Sequence, residues 1–400
     1  MTHAKRAIPV LVTDAPANAS LAVVRSLGRR GVPVGVCSFA EEFNLAAYSR
    51  WAVESLTLPS PTHHADDFVG ALKAVLETGK YPIVFATTER TIQLITAARA
   101  SLPPWVEIPM PGPDALETVL DKQRTAAIAE QVGVPIPPTW CPTDLDEATA
   151  LARSLPYPVI VKPRQTNFLA NGHLVKADYV VAEAAAQALR AWRAVDSVTP
   201  RPVIQALVRG RGVGMNTLWR NGAPLVWFCH QRLREIDLRG GRSTAAVSAA
   251  CDERLKAGAH RILDALGWHG VAMVEFKWDE SSDQYWLLEI NGRFWGSLPL
   301  ALACGVDFPY YLYQITIGET PEPPVAYELG VVARDAVAEM KHFVRVMAHG
   351  RGRRLATLGA AATILHPWKK SFNWVPDDPE PGRREWRHVL TGALGRRRAA

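Results

Sequence analysis

The chain has few cysteines and shows no pattern among them. Its five cysteines are scattered over 400 residues without a CxxC spacing, so the sequence indicates neither a disulfide framework nor a zinc site. No run approaches about 18 uninterrupted apolar residues, which argues against a transmembrane helix. The apolar run that follows the basic start stops at Asp14 and is too short for a signal peptide. We therefore predict a cytoplasmic protein without a membrane span.

Two common enzyme signatures are also missing. No GxGxxG motif follows the first apolar run, IPVLVTD, and this absence argues against a dinucleotide-binding dehydrogenase. No Ser/His/Asp or Cys/His arrangement is evident, so nothing in the sequence indicates catalysis through a covalent side-chain nucleophile.

The net charge of +6 is unevenly distributed along the chain. Residues 341 to 400 contain 13 Lys or Arg and 4 Asp or Glu, which leaves the first 340 residues with a net charge of −3. Two clusters, RGRR at 351–354 and RRR at 396–398, could contact phosphates or a membrane surface. Because such clusters more often form a solvated tail, we do not expect nucleic acid as a partner.

The order of apolar runs predicts several domains. A chain of 400 residues with 48% hydrophobic residues has room for two or three cores. Up to about residue 112, strand-like and helix-like segments alternate, which is typical of a small parallel α/β sheet. The Pro-rich stretch at 103–115 then indicates a domain boundary.

The middle of the chain contains several charged residues in strand-like or helix-like surroundings. The segment DALETVLDKQRTAAIAEQVG predicts one helix with Lys122 near its middle, and PYPVIVKPR predicts a strand that ends at Lys162. The run PRPVIQALVRGRGVG indicates a strand followed by a Gly-rich turn, and Asn221-Gly222 indicates a hairpin. After that hairpin, Arg232 and Arg234 are predicted to share one strand face.

The most informative segment is WLLEINGRFWGS, from Trp286 to Ser297. On a strand, Glu289, Asn291 and Arg293 share one face because they are two residues apart. The preceding run VAMVEFKW contains Glu275, and a polar loop connects the two runs, so a β-hairpin in which Glu275 and Glu289 face each other is predicted. Such carboxylates require a cation between them, and with an amide they suit Mg²⁺ that carries substrate phosphates. The alternative is a solvated sheet face with Arg293 as salt-bridge partner.

Together these elements resemble the ATP-grasp superfamily, and closely resemble its carbamoyl-phosphate-synthase-like branch of carboxylate-amine ligases, over roughly residues 8 to 320. The resemblance implies an α/β and α+β fold class: an ATP-grasp fold with an N-terminal open α/β (pre-ATP-grasp) domain and two ATP-binding lobes. The expected units are the N-terminal domain at 1–112, a small lobe at 113–202, a C-terminal lobe with the metal site at 203–330, and a basic extension at 331–400.

The resemblance also implies roles for individual residues. The phosphates of ATP would be bound by Lys122 and Lys162, and adenine by backbone groups of Gln205 and Val208. The ligands of Mg²⁺, or of Mn²⁺ as the alternative, would be Glu275, Glu289 and Asn291. Arg293 would steady the transferred phosphoryl group, and Arg234 would lie near the phosphates and the acceptor carboxylate. Chemically these parts fit phosphoryl transfer, which depends on positioning and on neutralising charge.

The sequence departs from the family in a few places. The lid segment after Lys162 contains only Gly172, the hinge has Gln205 where Glu is common, and Gly292 replaces a usual proline. We expect an ATP-dependent ligase that joins a small carboxylate to an amine through an acylphosphate and releases ADP and phosphate. Its substrate determinants are expected around Thr87–Glu89 and at 232–243. The alternatives are a carboxylate or bicarbonate kinase and a non-catalytic nucleotide-binding regulator. A homodimer is compatible with the resemblance, but no interface signature decides the oligomeric state.

Overall fold

The N-terminal part is a parallel sheet covered by helices. The structure, a computed structural model, describes residues 7–170, 173–237, 240–349 and 370–398. The first sheet has the strand order β3-β2-β1-β4. Its elements are β1 (Val10–Val12), α1 (Asn18–Arg29), β2 (Val34–Phe39), β3 (Ala52–Leu58), α2 (Ala65–Glu77), β4 (Ile83–Phe85) and α3 (Glu89–Ala98), with short 3₁₀ helices at Leu45–Tyr48 and Arg99–Ser101. The central strands are buried on both faces, as a parallel sheet between helices requires.

The predicted single helix around Lys122 is wrong, because the chain forms two helices there. These are α4 (Pro113–Leu120) and α5 (Lys122–Gln131). The carboxylate of Asp121 accepts hydrogen bonds from the backbone N–H groups of Gln123 at 2.9 Å and Arg124 at 3.2 Å. Aspartate is a favoured N-cap, so a new helix begins at this point. Lys122 is therefore the first residue of α5.

The second region is a small antiparallel sheet with the strand order β5-β10-β6-β9. Its elements are β5 (Thr139–Trp140), α6 (Leu145–Ala152), β6 (Val159–Lys162), β9 (Val180–Ala182), α7 (Ala185–Asp196) and β10 (Val203–Ala206). Between β6 and β9 a separate two-stranded hairpin, which we call the lid hairpin, is formed by β7 (Asn167–Ala170) and β8 (His173–Lys176). The lid hairpin rests on the N-terminal domain: the backbone N–H of Leu174 donates to the carbonyl oxygen of Thr62 at 2.9 Å.

The third region is a seven-stranded sheet with the order β15-β14-β11-β12-β13-β16-β17. Its strands are β11 (Arg211–Arg220), β12 (Ala223–Asp237), β13 (Gly240–Ala249), β14 (Gly270–Asp279), β15 (Gln284–Asn291), β16 (Val332–Arg334) and β17 (Lys370–Ser371). The helices that accompany it are α8 (Glu253–Ala265), α9 (Leu298–Ala303), α10 (Phe308–Thr316), α11 (Ala336–His349) and α12 (Glu380–Arg398). The hairpin predicted at Asn221-Gly222 is confirmed, with φ of 50° and 82° at the two turn residues.

Part of the predicted extension at 331–400 is built into the rest of the protein. Strands β16 and β17 join the large sheet. Arg25 of α1 is only 3% exposed, and its Nε donates to the carboxylate of Asp378 at 2.9 Å. The cluster at 351–354 lies outside the described residues, as do the side chains at 396–398. In the described part of the chain, no helix combines the length and the apolar character that crossing a membrane requires.

Candidate active site

The hairpin β14–β15 brings the two predicted carboxylates together. Glu275 is the direct cross-strand partner of Glu289, and Met273 is the partner of Asn291. A β-bulge follows, so that Phe276 pairs with Leu287 instead of Leu288. The register that the sequence predicts therefore holds at the carboxylates, and the bulge begins only beyond them.

Asn291 and Arg293 complete a short polar chain on the same face. The side-chain Nδ2 of Asn291 donates to Glu289 Oε1 at 3.1 Å and lies 3.3 Å from Glu275 Oε1. Nη2 of Arg293 donates to Asn291 Oδ1 at 2.7 Å. Glu275 and Asn291 are only 6% and 8% exposed, whereas Glu289 is exposed, so these polar groups run from the protein interior to the surface. The structure thus brings together all three predicted metal ligands and Arg293.

The two carboxylates differ in their affinity for protons. Burial raises the pKa of Glu275 to about 7, against the opposing charge of Arg232. Burial acts on Glu289 in the same sense, but the hydrogen bond from Asn291 and the charge of Lys122 outweigh it and lower the pKa of Glu289. Two carboxylates so close cannot both remain charged without a cation between them.

The oxygen atoms of Glu275, Glu289 and Asn291 fit Mg²⁺ better than a metal whose ligands must all come from the protein. Among the residues that the structure describes, no group of three or more His, Cys, Asp or Glu side chains could hold a metal ion. Two carboxylates and the amide oxygen of Asn291, which here accepts from Arg293, leave about half of an octahedral shell to other oxygens. Mg²⁺ is usually bound in this way, through one or two carboxylates together with substrate phosphates and water.

The two predicted phosphate lysines lie in one cleft with these groups. The cleft has a volume of about 820 Å³, and its lining includes Lys122, Lys162, Gln205, Glu289, Asn291 and Arg293. Nζ of Lys122 donates to Thr166 Oγ1, next to the lid hairpin, at 3.2 Å. Nζ of Lys162 donates to Gln205 Oε1 at 2.7 Å, and Gln205 donates in turn to Thr139 Oγ1 at 2.9 Å. The cleft therefore combines cations, which suit phosphates, with the carboxylate of Glu289.

Burial lowers the pKa of both lysines. It lowers the pKa of Lys162 to about 8, and the nearby positive charge of Lys122 acts in the same direction. Burial also lowers the pKa of Lys122, although the charges of Glu289 and Glu89 oppose the change. An anionic ligand in the cleft would restore the preference of both lysines for the charged form.

Arg232, predicted only as part of the segment of substrate determinants at 232–243, lies at the carboxylates. Its guanidinium contacts the Glu275 carboxylate, and its Nη1 donates to Glu235 Oε1 at 3.1 Å. The predicted shared face of Arg232 and Arg234 is wrong, because β12 is bulged between them. Nε of Arg234 instead donates to Glu339 Oε1, in α11, at 2.6 Å. The structure thus places Arg232, and not Arg234, against the carboxylates.

Two glycines of β11 explain how β12 reaches across the sheet. A Cβ atom at Gly212 would lie 2.8 Å from Cδ of Arg232, and one at Gly214 would lie 2.2 Å from Cε1 of His230. Side chains from β12 therefore pass over β11 toward Glu275 on β14. The sequence analysis assigned RGRGVG to a turn, which is wrong because Gly212 and Gly214 lie within the strand. Glycines two residues apart on one strand face were the signal for this close approach.

His230 links the sheet to the loop after Arg293. Nδ2 of Asn216 donates to the carbonyl oxygens of Gly214 and Phe228, at 3.1 and 3.0 Å, and lies 2.9 Å from Nδ1 of His230. Nε2 of His230 lies 3.3 Å from Ser297 Oγ. Burial, with the charge of Arg232, lowers the pKa of His230 to about 3. A neutral His230 therefore orients the Ser297 hydroxyl.

The remaining predicted residues differ in whether they line the cleft. Val208 lies in the loop that follows β10 and is not part of the cleft lining. Glu89 lines the cleft and accepts a hydrogen bond from Asn167 of the lid hairpin at 2.9 Å. Thr87 is buried and hydrogen-bonded to Ser20 at 2.7 Å, so its hydroxyl forms a contact inside the N-terminal domain.

Known proteins have sequences similar to about half of the chain. A profile of the family described as carbamoyl-phosphate synthase L chain, ATP binding domain, matches residues 121–322. The carbamoyl phosphate synthase large chain of Xylella fastidiosa is 25% identical over 219 residues, which are 52% of this chain and 20% of that relative. The D-alanine–D-alanine ligase of Stutzerimonas stutzeri is 27% identical over 222 residues, 52% of this chain and 68% of that protein. The chain thus spans about a fifth of the first relative.

Solved structures share the fold over most of the chain. Biotin carboxylase from Campylobacter jejuni superimposes with a TM-score of 0.66 at 16% identity, over 81% of this chain and 74% of that one. L-amino acid ligase from Bacillus licheniformis gives a TM-score of 0.57 at 18% identity, over 78% of this chain and 75% of that one. Since the profile covers half of the chain, the protein belongs to the family of the carbamoyl-phosphate synthase L chain ATP-binding domain, within the ATP-grasp superfamily.

Proposed function

We propose that the protein is an ATP-dependent ligase that joins a carboxylate to an amine. The observation that carries the proposal is a cleft that combines two partly buried lysines, Lys122 and Lys162, with Arg293 and with Glu289, the cross-strand partner of Glu275. The negative phosphates of ATP require nearby positive side chains, and a divalent cation requires carboxylate ligands. Phosphoryl transfer requires little more from a protein than this positioning and charge neutralisation.

The proposed reaction has two steps. A carboxylate oxygen of the substrate attacks the γ-phosphorus of ATP, the bond to the β–γ bridging oxygen breaks, and ADP leaves. The amine then attacks the carbonyl carbon of the acylphosphate, inorganic phosphate leaves with the C–O bonding electrons, and the amine nitrogen loses a proton. No protein nucleophile is required.

Each residue has a proposed part in this reaction. In this proposal, Lys122 and Lys162 bind the phosphates of ATP, and backbone groups of Gln205 and Val208 bind the adenine. Mg²⁺, held by Glu275, Glu289 and Asn291, supplies charge neutralisation on the phosphate oxygens. Arg293 steadies the transferred group, and we now assign the second arginine role to Arg232, because Arg234 is engaged with Glu339.

The experiment that tests this function measures ADP release with pooled amines and pooled small carboxylic acids, added separately and together. Release that requires both pools, with an acyl hydroxamate formed when hydroxylamine replaces the amine, supports the ligase. Release that needs only the acid pool supports the carboxylate or bicarbonate kinase. ATP binding without release from any combination contradicts catalysis and favours the regulatory alternative.

The affinity for ATP is expected to fall as the pH rises above 8. The pKa of Lys162 is lowered to about 8, so its positive charge is present at pH 7 and is lost between pH 7 and pH 9. Losing one charge-assisted contact to a phosphate should weaken binding by about tenfold. Titration of ATP at several pH values measures the effect. Lys162→Arg keeps its charge over this range and should show a flatter profile; an equally steep profile in this variant would contradict the assignment.

A further inference from the structure

The C-terminal helix presents an exposed surface that the proposed ligase activity does not use. Trp374, Trp386 and Leu390, together with Arg383 and Arg387, line one surface groove, which we call the tryptophan face. Trp374 is 47% exposed and Leu390 is 56% exposed. Residues 383, 386, 387 and 390 are spaced by three and four positions, so they lie on one side of α12. Apolar side chains and arginines therefore occur together on an open helix face.

The protein holds this face in a fixed position. A Cβ atom at Gly382 would lie 2.9 Å from Cβ of Trp374, so the tryptophan packs directly against the first turn of α12. On another side of α12, the ring of His388 stacks on Phe43 at 4.7 Å between centroids. Because α12 is anchored through that side, rotating it to bury the tryptophan face would break this contact.

The charge on the face favours an anionic partner, because Arg383 and Arg387 line it. Residues 341–400 contain 13 Lys or Arg and 4 Asp or Glu, whereas the first 340 residues have a net charge of −3. Indole rings prefer the boundary between water and hydrocarbon, and basic side chains near an anionic membrane contribute about 1 kcal/mol each. Helices that lie on membranes combine these features.

We propose that the tryptophan face docks the protein on an anionic phospholipid bilayer, with the indoles at the depth of the headgroups and without spanning the membrane. Single-stranded nucleic acid also stacks on aromatic rings and contacts arginine. Leu390, however, has no aromatic ring on which a nucleic-acid base could stack. Helix α11, which contacts α12, exposes two further aliphatic side chains, Val344 at 63% and Met347 at 42%. Exposed aliphatic side chains next to arginines favour lipid.

The test uses the full-length protein and sedimentation with vesicles of phosphatidylcholine alone or mixed with phosphatidylglycerol. Binding to the mixed vesicles is expected, and it should weaken by about tenfold or more in Trp374→Ser and in Leu390→Glu. Val325→Glu is the matched control, since Val325 is fully exposed elsewhere and should be neutral. ATP binding by all variants verifies that they are folded and separates this result from the proposed ligase activity.

Three outcomes would overturn the proposal. The first is absence of binding to the mixed vesicles. The second is binding that Leu390→Glu and Val325→Glu reduce equally, which would reflect net charge alone. The third is tight binding of single-stranded RNA that displaces the vesicles and depends on Arg383 and Arg387, which would identify a nucleic-acid surface instead.

Discussion

Replacement of Glu289 by glutamine is expected to reduce substrate-dependent ADP release by on the order of 100- to 1,000-fold, the cost of removing one preorganised electrostatic contact. The new side chain has the same shape and can still accept the hydrogen bond from Asn291. It lacks the negative charge that the proposed Mg²⁺ site requires. Steady-state ADP release at saturating Mg²⁺ and ATP measures the effect, once a substrate is known.

Glu280→Gln provides the matched control. Glu280 lies in the loop of the same hairpin, but it does not line the cleft, and its exposed side chain forms an ion pair with Arg211 at 3.3 Å. The same chemical change should leave the activity within about twofold, because an exposed ion pair contributes little. Equal activity in the two variants would show that Glu289 is not a metal ligand. A folded Glu289→Gln variant that still binds ATP would locate the defect in the transfer step.

Replacement of Arg25 by methionine is expected to destabilise the protein by about 3–5 kcal/mol, the usual cost of removing one member of a buried ion pair. Arg25 and Asp378 have side chains that are 4% and 1% exposed. The guanidinium also donates to the backbone carbonyl oxygens of Asn373 at 2.9 Å and Asp378 at 2.7 Å. Methionine fills the space but leaves the Asp378 charge uncompensated. Urea denaturation gives the free energy of unfolding.

Arg29→Met is the matched control for this experiment. Arg29 lies one turn further along the same helix and pairs with Asp377 at 2.7 Å, but the two side chains are 36% and 47% exposed. Its loss should cost about 1 kcal/mol or less. In addition, Arg25→Met combined with Asp378→Asn should cost less than the two single changes together, because the pair is coupled. Additive losses would mean that Arg25 acts independently of Asp378.

The parts of the site that lie close together in the sequence could be predicted from it. Glu275 and Glu289 belong to one hairpin, so the spacing of polar residues and the position of the loop define which residues face each other. Asn291 and Arg293 follow from the alternation of side chains along a strand. The parallel α/β domain was predictable for a similar reason, since strand and helix patterns alternate there.

The errors have local physical causes that the apolar pattern does not show. Asp121 caps a helix, so Lys122 begins α5 instead of lying within a longer helix. A β-bulge separates Arg232 from Arg234, and the two glycines of β11 allow Arg232 to reach Glu275. Strand patterns indicate which residues alternate, but a bulge or a missing side chain on a neighbouring strand changes which residue reaches the site.

The pairing of Arg25 with Asp378 also has a consequence for protein synthesis. The two residues are 353 positions apart. A ribosome that adds roughly 5–20 residues per second needs on the order of 20–70 s to cover that distance. During this time the hydrogen-bond acceptors of Arg25, in α1, have not yet been translated. Helix α1 can therefore complete this contact only after residue 378 has been translated, and a pause before that point would prolong the unpaired state of Arg25.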